Sequence, residues 1–425
     1  MFLIGHPLDL DHPERGPDRI AAQLAAADSV DALIREAAYL GGRWVVLAWD
    51  GAQLVAVPDC AATMPAYWSK RPFVLASHLH LVAELAQLER DEGSMNLMAR
   101  ARSLGARGTL HWPGIKTPFL GVAPLLPNHH LTWDGQEGRH VRFYPFDDTT
   151  LERDVDRAYK QFRELFVAHV QAICRAGEPN AIGVSLTAGV DSRASLAAAL
   201  SWRPTNLIAF TFVRQTEMPP GLLDDLLGAN AVAVANRVFH RVVVLDDRTD
   251  TAFNAAYRRT FRHTPQFRGV AQSYYYQLPD TLIELQSMIS AAGSGASYRN
   301  RGEPLSSARL ARLYSNSEYG RTAEVGEALA EFAEYADLTD EARLGPIDYH
   351  DAFYWEHRLG RWATLRMQEV DLAHLMMLPY NSRGVIEALQ GPPLEERAGK
   401  QAQRRFIAES GILRPPGWAA PARCG

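Results

Sequence analysis

The amino-acid sequence predicts an α/β protein, with a β-rich N-terminal part, a doubly wound parallel sheet after it and a helical C-terminal part. Three observations lead to this prediction. Two apolar runs flank the turn Asp50-Gly51, which is a strong signal for an antiparallel hairpin. The stretch 181–200 passes from a β-branched run through small residues into an Ala/Leu run, as a strand, a loop and a helix would. Strand-like and helix-like runs then alternate up to residue 245, which predicts parallel strands.

Composition limits the classes of protein to consider. The chain has 425 residues, which suits two domains, and a net charge of −5 with 44 basic and 49 acidic residues. Without a basic block, nucleic acid and anionic membranes are not expected as partners. Since no apolar run has the length of a membrane span and no signal peptide is recognisable, we expect a cytoplasmic protein. The cysteines Cys60, Cys174 and Cys424 are too scattered for a disulfide framework or a zinc site.

The N-terminal part, residues 1–147, consists of predicted strands and turns. Residues 43–49 and 53–57 form the predicted hairpin about the Asp-Gly turn. Residues 73–77 are predicted as a further strand, and residues 81–88 as a helix. This pattern favours an antiparallel arrangement, because tight turns join successive strands.

A boundary is expected at residues 145–150, where the pattern changes. Apolar residues recur from Leu151 to Ile173 at three- and four-residue spacing, which predicts a long amphipathic helix. Thr150 is the predicted N-cap of this helix. The next elements of the parallel sheet are predicted as a strand, a helix and a strand, at 207–213, 223–238 and 241–245.

The loop Thr187–Ser192 lies between the predicted strand and helix. At such a corner, backbone N–H groups and the helix dipole favour a bound anion. Gly189 lacks the Cβ that would keep a phosphate away. The hydroxyls of Thr187 and Ser192 can donate to phosphate oxygens, and Asp191 can hold a magnesium ion. We therefore interpret the loop as a nucleotide site, the alternative being an ordinary strand–loop–helix corner.

The loop lacks the Gly-Lys-Ser/Thr of GTPase P-loops and resembles the Ser-Gly-Gly-x-Asp-Ser pyrophosphate loop of the asparagine synthetase-like ATP pyrophosphatases. The resemblance implies ATP and Mg²⁺ as ligands, with Asp191 as the metal ligand. The nucleotide-binding residues implied in this region are Ser185, Thr187, Ala188, Gly189, Asp191, Ser192, Arg193, Thr211 and Phe212. Asp224 and Asp225 match an acidic pair of that family, although we interpret them as carboxylates at a helix start.

The stretch Ser287–Tyr298 is predicted to begin as another strand and to run into a second loop of small residues. It resembles the Gly-x-Gly-x-Asp-Glu loop of the same family. Gly293 and Gly295 are retained and are expected to contact the nucleotide. Ser297 and Tyr298 stand where the family has its acids, which leaves a second magnesium ligand undetermined.

The N-terminal half is similar to the amidohydrolase half of glutamine-dependent asparagine synthetases, most clearly at Gly42–Asp50. In that family the nucleophile is a cysteine directly after the initiator methionine, a position that Phe2 holds here. The resemblance implies a degenerate glutaminase-like (Ntn) domain at 1–147 and a synthetase domain at 148–425. Glutamine hydrolysis is therefore not expected.

A dense cluster of aromatic and charged residues lies at 351–362. Glu356 is a candidate catalytic carboxylate in this cluster. Packing with ion pairs is the preferred interpretation of the cluster as a whole. A pocket that holds a substrate carboxylate on Arg358 or Arg361 is the less favoured alternative.

Two motifs near the C-terminus extend the resemblance. Pro379–Arg383 is similar to the family's Pro-Phe/Tyr-x-x-Arg element, and Lys400 and Arg404 are spaced as in its Lys-x-x-x-Arg motif. The family's lysine stabilises charge on the phosphate and on the tetrahedral intermediate, a role that suits a cation. Lys400 and Arg404 are therefore candidate catalytic residues, the alternative for the lysine being a solvated surface group.

Together these features imply an ATP-dependent ligase that adenylates a carboxylate, releases pyrophosphate and couples the acyl group to an amine. The expected partners are a carboxylate and an amine, free or within a peptide. Formation of a lactam or macrolactam in biosynthesis is the leading hypothesis. The alternative is a non-catalytic nucleotide-binding scaffold of a biosynthetic complex. The oligomeric state is left open, a homodimer included.

Overall fold

A computed structural model shows a mixed α/β protein, with antiparallel sheets in the N-terminal half and a five-stranded parallel sheet after them. This agrees with the predicted fold class. The structure describes residues 1–103, 111–214, 218–261, 267–295, 301–318, 332–339 and 341–412. Within these ranges, every helix is too short or too polar to cross a lipid bilayer.

The N-terminal half contains two antiparallel sheets. Its strands are β1 (Phe2–Leu8), β2 (Gly41–Trp49), β3 (Leu54–Pro58), β4 (Tyr67–Ser69), β5 (Val74–Ala76), β6 (Val122–Pro124), β7 (His129–Trp133) and β8 (Gly138–Arg142). The first sheet has the order β1-β2-β3-β7-β8 and the second β5-β4-β6. Its helices are α1 (Pro17–Ala25), α2 (Val30–Ala38), α3 (Leu79–Leu85) and α4 (Glu92–Ser103).

The predicted hairpin is confirmed. Strands β2 and β3 pair antiparallel, with Trp49 opposite Leu54 at the closed end. Asp50 Oδ1 accepts hydrogen bonds from the backbone N–H groups of Ala52 and Gln53, both at 2.8 Å. Gly51 has φ +99°, a backbone conformation that glycine adopts most readily.

The parallel sheet lies in the C-terminal half. Its strands are β9 (Ile182–Ser185), β10 (Leu207–Val213), β11 (Phe239–Val244), β12 (Ile283–Leu285) and β13 (Leu375–Met377). Their order is β11-β10-β9-β12-β13, and every neighbouring pair is parallel. The chain therefore adds strands first on one side of β9 and then on the other. Such a reversal opens a crevice beyond the carboxyl ends of the central strands.

Helices pack around this sheet and fill the C-terminal part. They are α5 (Val155–Gly177), α6 (Val190–Trp202), α7 (Pro220–Ala235), α8 (Ala252–Thr260), α9 (Arg268–Gln277), α10 (Ala291–Ser294), α11 (Ser307–Glu318), α12 (Ala333–Thr339), α13 (Tyr349–Phe353), α14 (Thr364–Val370), α15 (Arg383–Gln390), α16 (Leu394–Ala398) and α17 (Gln401–Glu409). A π-helical segment (Tyr354–Ala363) joins α13 to α14. The prediction of a helical C-terminal part is confirmed for the described residues.

Two local predictions are wrong. Asp154, not Thr150, caps α5, because the helix begins at Val155 and the Asp154 carboxylate reaches the backbone N–H of Arg157 at 2.8 Å. The strand predicted at the start of Ser287–Tyr298 ends before it, at Leu285 in β12. Residues Met288–Ser290 form a 3₁₀ turn that leads into α10, as small residues permit.

The apolar core crosses the predicted boundary near residue 147. Tyr144 and Cys60, from the N-terminal half, belong to the same buried cluster as the side chains of α5 and the parallel sheet. Asn381 also joins the halves, because its amide donates to Gly42 O at 2.6 Å and to Asp59 Oδ1 at 2.9 Å. The two halves are therefore packed against each other through a continuous interior.

Buried histidines lead to a prediction about acid stability. Burial lowers the pKa of His129, His130 and His169 to about 4 and that of His140 to about 3. In the unfolded chain these groups bind protons near pH 6.5, whereas in the folded chain they stay neutral to much lower pH. We expect full stability above about pH 6.5 and a loss below it, of up to ~1.4 kcal/mol per pH unit for each histidine.

Urea unfolding measured at pH 7.5, 6.5 and 5.5 tests this expectation. His169 Nε2 accepts a hydrogen bond from the N–H of Gly42 at 3.0 Å, so His169→Gln should make the pH dependence shallower. The exposed His12 provides the matched control, and His12→Gln should leave the dependence unchanged. An unfolding free energy that stays constant from pH 7.5 to 5.5 would contradict the prediction.

Candidate functional site

The predicted strand–loop–helix corner is present where β9 ends and α6 begins. Gly189 is the N-cap of α6, with an extended backbone. Ser192 Oγ accepts a hydrogen bond from the Thr187 N–H at 3.1 Å and lies 3.0 Å from Thr187 Oγ1. Thr187 Oγ1 in turn accepts from the Gly189 N–H at 3.0 Å. The two hydroxyls thus close a compact loop at the N-terminus of a 13-residue helix.

Gly189 is required by the close packing of this loop. A Cβ at this position would lie 2.9 Å from Thr187 Oγ1 and would displace the hydroxyl. The first backbone N–H groups of a helix have no partner within the helix, so they are open to an anion. Glycine at this position therefore permits the compact form of the loop.

The side chains of Asp191 and Lys400 meet at this loop. Lys400 Nζ donates a hydrogen bond to Asp191 Oδ2, across 209 residues of sequence. Asp191 Oδ1 is buried and makes no hydrogen bond to any described residue. Lys400 is the N-cap of α17 and has φ 53° and ψ 42°, a left-handed conformation that side chains other than glycine adopt at a cost of about 1–3 kcal/mol. Two residues that the sequence nominated separately are thus adjacent.

Tyr380 is a further residue of this site that the sequence interpretation did not single out. Its hydroxyl donates to Asp191 O at 3.3 Å, and its ring packs 4.6 Å from that of Phe166. Burial raises the pKa of Tyr380 well above its usual value, so the hydroxyl keeps its proton. The only signal in the sequence was its place inside the Pro379–Arg383 motif.

The interpretation of Asp224 and Asp225 as carboxylates at a helix start is wrong. Helix α7 begins at Pro220, so both lie beyond its first turn. Asp225 Oδ1 instead accepts a hydrogen bond from the Ala188 N–H at 3.1 Å. Helix α7 is therefore in direct contact with the candidate phosphate loop.

Two predicted ligands, Thr211 and Arg193, donate hydrogen bonds to backbone carbonyls of the loop and of the residue before it. Thr211 Oγ1 donates to Leu186 O at 2.7 Å and lies 2.9 Å from His240 Nε2. Arg193 Nε donates to Gly189 O at 3.2 Å. Both contacts are with backbone carbonyls at the loop ends, so these residues hold its shape.

Two other predicted ligands are at the ends of the central strands. Ser185 is the last residue of β9, and its hydroxyl lies 3.4 Å from Gln286 Nε2. Phe212 lies near the carboxyl end of β10, partly buried against the main core. Both are at the sheet edge where ligands of parallel sheets bind.

The glycines of the second loop have packing roles. A Cβ on Gly293 would lie 2.4 Å from Leu389 Cβ, so glycine lets α10 approach α15 closely. Gly295 has φ +64° and ends α10 in a left-handed turn. The predicted contact of Gly293 and Gly295 with a nucleotide is not tested by this geometry. Ser297 and Tyr298 lie outside the described residues.

An ion-pair cluster ties this second loop to the turn that carries Lys400. Asp351 binds Arg301 at 2.6 Å and also Arg397. Arg301 Nη2 donates to Gly295 O at 2.7 Å and Arg397 Nε to Gly293 O at 3.1 Å, both at the C-terminal end of α10. Since Arg397 O accepts from the Lys400 N–H at 3.0 Å, this cluster helps to position Lys400.

Glu356, the predicted catalytic carboxylate, lies in a buried ion pair. Its two oxygens each accept from Arg142 at 2.7 Å, and Asn128 Nδ2 donates to Oε1 at 3.0 Å. Although burial opposes ionisation, the Arg142 guanidinium holds the pKa of Glu356 below its usual value. The pair joins β8 to the π-helical segment and includes no contact with the phosphate loop. This placement favours a role in stability.

The remaining charged candidates of the C-terminal part also contact backbone or aromatic groups. Arg361 Nη1 donates to Gly114 O at 2.6 Å, and the cavity beside it measures only about 20 Å³, room for one water molecule. The alternative of a substrate carboxylate on Arg361 therefore does not fit. Arg358 stacks on Trp362 at 4.7 Å. The exposed Arg404 donates to Gly399 O at 2.9 Å and so braces the turn before α17.

A cavity of about 900 Å³ opens at the carboxyl ends of β10 and β11. Arg214, Asp246 and Tyr276 are among its lining residues. It lies on the same edge of the sheet as the phosphate loop. Another cavity, of about 1380 Å³, lies elsewhere, between α1, α2 and α5. The cavity at β10 and β11 has the size of a small-molecule pocket, and its lining includes none of the loop residues Thr187–Ser192.

Comparison with known proteins assigns no family to the chain. No family model matches it, and no curated protein matches it.

Proposed function

We propose that this protein is an ATP-dependent, amide-forming ligase of the asparagine synthetase-like type. Its two parts would be a degenerate glutaminase-like domain at 1–147 and a synthetase domain at 148–425. The observation that carries the proposal is the contact between Asp191 and Lys400 at the N-terminus of α6. This places a carboxylate and a cation at the carboxyl end of the central strand, where ligands of such sheets bind.

The phosphate loop would bind the pyrophosphate part of ATP. The helix N-terminus supplies N–H groups. The hydroxyls of Thr187 and Ser192, which lie next to each other, could both rotate to donate to phosphate oxygens. The Ala188 N–H, which donates to Asp225 Oδ1, would become available to phosphate when that contact opens. The loop thus offers several donors to one anion.

Asp191 would hold the magnesium ion. Its Oδ1 atom is buried without a hydrogen-bond partner among the described residues, as expected for a metal ligand. In the described ranges no three acidic, histidine or cysteine side chains are grouped around a metal position. Mg²⁺ is commonly held by one or two carboxylates together with substrate phosphates and water. The ion would neutralise charge on the departing pyrophosphate.

Lys400 would stabilise the negative charge that develops during the reaction. A substrate carboxylate oxygen attacks the α-phosphorus of ATP, and the bond to pyrophosphate breaks. An amine then attacks the acyl carbon, AMP leaves, and the amine loses a proton. Each step develops negative charge on oxygen, and a preorganised ammonium lowers its energy.

The amine is proposed to come from the substrate and not from glutamine. Cys60 and Cys174 are buried, and burial raises the pKa of both thiols, that of Cys174 to about 12. Neither thiol would form the thiolate needed for glutamine hydrolysis near neutral pH. A ligase with a substrate amine forms lactams, macrolactams or peptide crosslinks, so we propose a role in biosynthesis of such a product.

Pyrophosphate release from ATP and Mg²⁺, measured with pooled carboxylates and amines, tests the proposal. We expect release with the wild-type chain, and its loss in Asp191→Ala, because the metal ligand is gone. The exposed Asp280 supplies the matched control, and Asp280→Ala should keep the activity. ATP binding without release under any condition would favour the scaffold alternative, which the arginine-anchored second loop also supports.

A further inference from the structure

Helix α7 is apolar on its outer as well as its inner face. The inner face is buried against the sheet through Gly228, Ala229, Val232 and Ala233. On the outer face Leu223, Leu227 and Val234 are 42%, 58% and 66% exposed. The only charged residues within the helix are Asp224 and Asp225. A helix that is apolar all round is normally covered on all sides.

The exposed apolar residues lie on one stripe of the helix, which also includes the polar Asn230. Leu223, Leu227, Asn230 and Val234 follow each other at intervals of four, three and four residues, and all four are exposed. This spacing is that of the seam along which two helices pack in a coiled coil. Val242, on the adjacent edge strand β11, is 42% exposed and extends the surface. The stripe therefore has the pattern of a helix–helix interface.

We propose that this outer face of α7 binds the same face of a second copy of the chain, with the two helices antiparallel. The charges at the helix ends fit this arrangement. Asp224 is exposed in the N-terminal part of α7, and Arg237 is exposed just beyond its C-terminal end. Neither residue has an ion-pair partner among the described side chains. A two-fold axis across the stripe brings Asp224 of each copy toward Arg237 of the other.

The antiparallel arrangement distinguishes a second copy from other occupants. A two-fold axis pairs each surface with itself, so one chain must carry both halves of the charge match. Here the acidic Asp224, the apolar seam and the basic Arg237 follow one another in that order along α7 and the residues just beyond its C-terminal end. The interface is also connected to the candidate site, because Asp225 on the inner side of α7 accepts from the Ala188 N–H. The proposal does not depend on the ligase activity.

Sedimentation velocity of the full chain tests the interface. The wild-type chain is expected to sediment as a dimer of 47.2 kDa subunits. Leu227→Glu would bury a charge in the seam and should give a monomer with unchanged circular dichroism. Leu85→Glu is the matched control, because Leu85 is 69% exposed at the end of α3, outside the stripe. It should leave the dimer intact.

A charge exchange tests the antiparallel orientation. Asp224→Arg should weaken the dimer by about tenfold, because it places arginine near arginine. Adding Arg237→Asp to that variant should restore the wild-type affinity, since the opposite charges meet again. A wild-type chain that is monomeric at about 50 µM would overturn the proposal. Equal effects of Leu227→Glu and Leu85→Glu, or no recovery in the double charge variant, would overturn it as well.

Discussion

Replacing Lys400 by alanine is expected to lower the rate of pyrophosphate release by about 10²- to 10³-fold, the usual effect of removing one group that stabilises transition-state charge. ATP binding should be retained more fully than the rate, because the loop hydroxyls and helix N-terminus remain. Single-turnover pyrophosphate release and calorimetric ATP binding measure the two effects separately. Lys160, exposed on α5, is the matched control, and Lys160→Ala should keep the wild-type rate. A rate for Lys400→Ala equal to that of Lys160→Ala would remove Lys400 from the mechanism.

The left-handed backbone of Lys400 allows its role in activity to be separated from its role in stability. Glycine adopts φ 53° without strain, whereas alanine does not. Lys400→Gly should therefore be about 1 kcal/mol more stable than Lys400→Ala in urea unfolding, while the rate of pyrophosphate release falls equally in both. If Lys400→Gly were the less stable of the two, the left-handed conformation would not be imposed by the fold.

Replacing Glu356 by alanine is expected to lower the free energy of unfolding by about 3–5 kcal/mol, because it removes the buried carboxylate that accepts two hydrogen bonds from the Arg142 guanidinium. Both side chains are at most 3% exposed, so water cannot replace the lost carboxylate. The double variant Glu356→Leu with Arg142→Met should recover most of the loss, since neither charge is then buried. Glu164, exposed on α5, is the control, and Glu164→Ala should change stability by less than about 0.5 kcal/mol.

The same variants distinguish a structural Glu356 from a catalytic one. If the ion pair serves stability, Glu356→Leu with Arg142→Met should retain pyrophosphate release at a temperature where it is folded. A variant that is as stable as the wild type and yet inactive would instead restore the catalytic interpretation. Urea unfolding and pyrophosphate release on the same preparations give both readouts.

Much of the fold follows from local patterns in the sequence. The Asp50-Gly51 hairpin, the long helix α5 and the loop between β9 and α6 were all predicted, because each depends on turn residues or periodicity within a short window. The short strand β13 was missed, since its three residues, Leu375–Met377, carry no periodicity. They become a strand only because β12 lies beside them.

A smaller part of the candidate site than of the fold could be predicted from the sequence. The motifs nominated the loop hydroxyls, Asp191 and Lys400, and the structure brings them together. Glu356 was nominated in the same way and pairs with Arg142. Tyr380 was missed because its contact with Asp191 spans 189 residues. Chemistry-bearing residue types can be recognised along a chain, but their partners cannot.

The sequence by itself therefore determined the class of fold, the order of most elements and the position of the loop that we propose as an anion site. The tertiary structure decided which charges meet: Lys400 with Asp191, and Arg142 with Glu356. It also decided that α7 has an apolar outer face left uncovered within the chain. The physical reason is that turns and helix periodicity act over a few residues, whereas ion pairs and exposure depend on how distant segments pack.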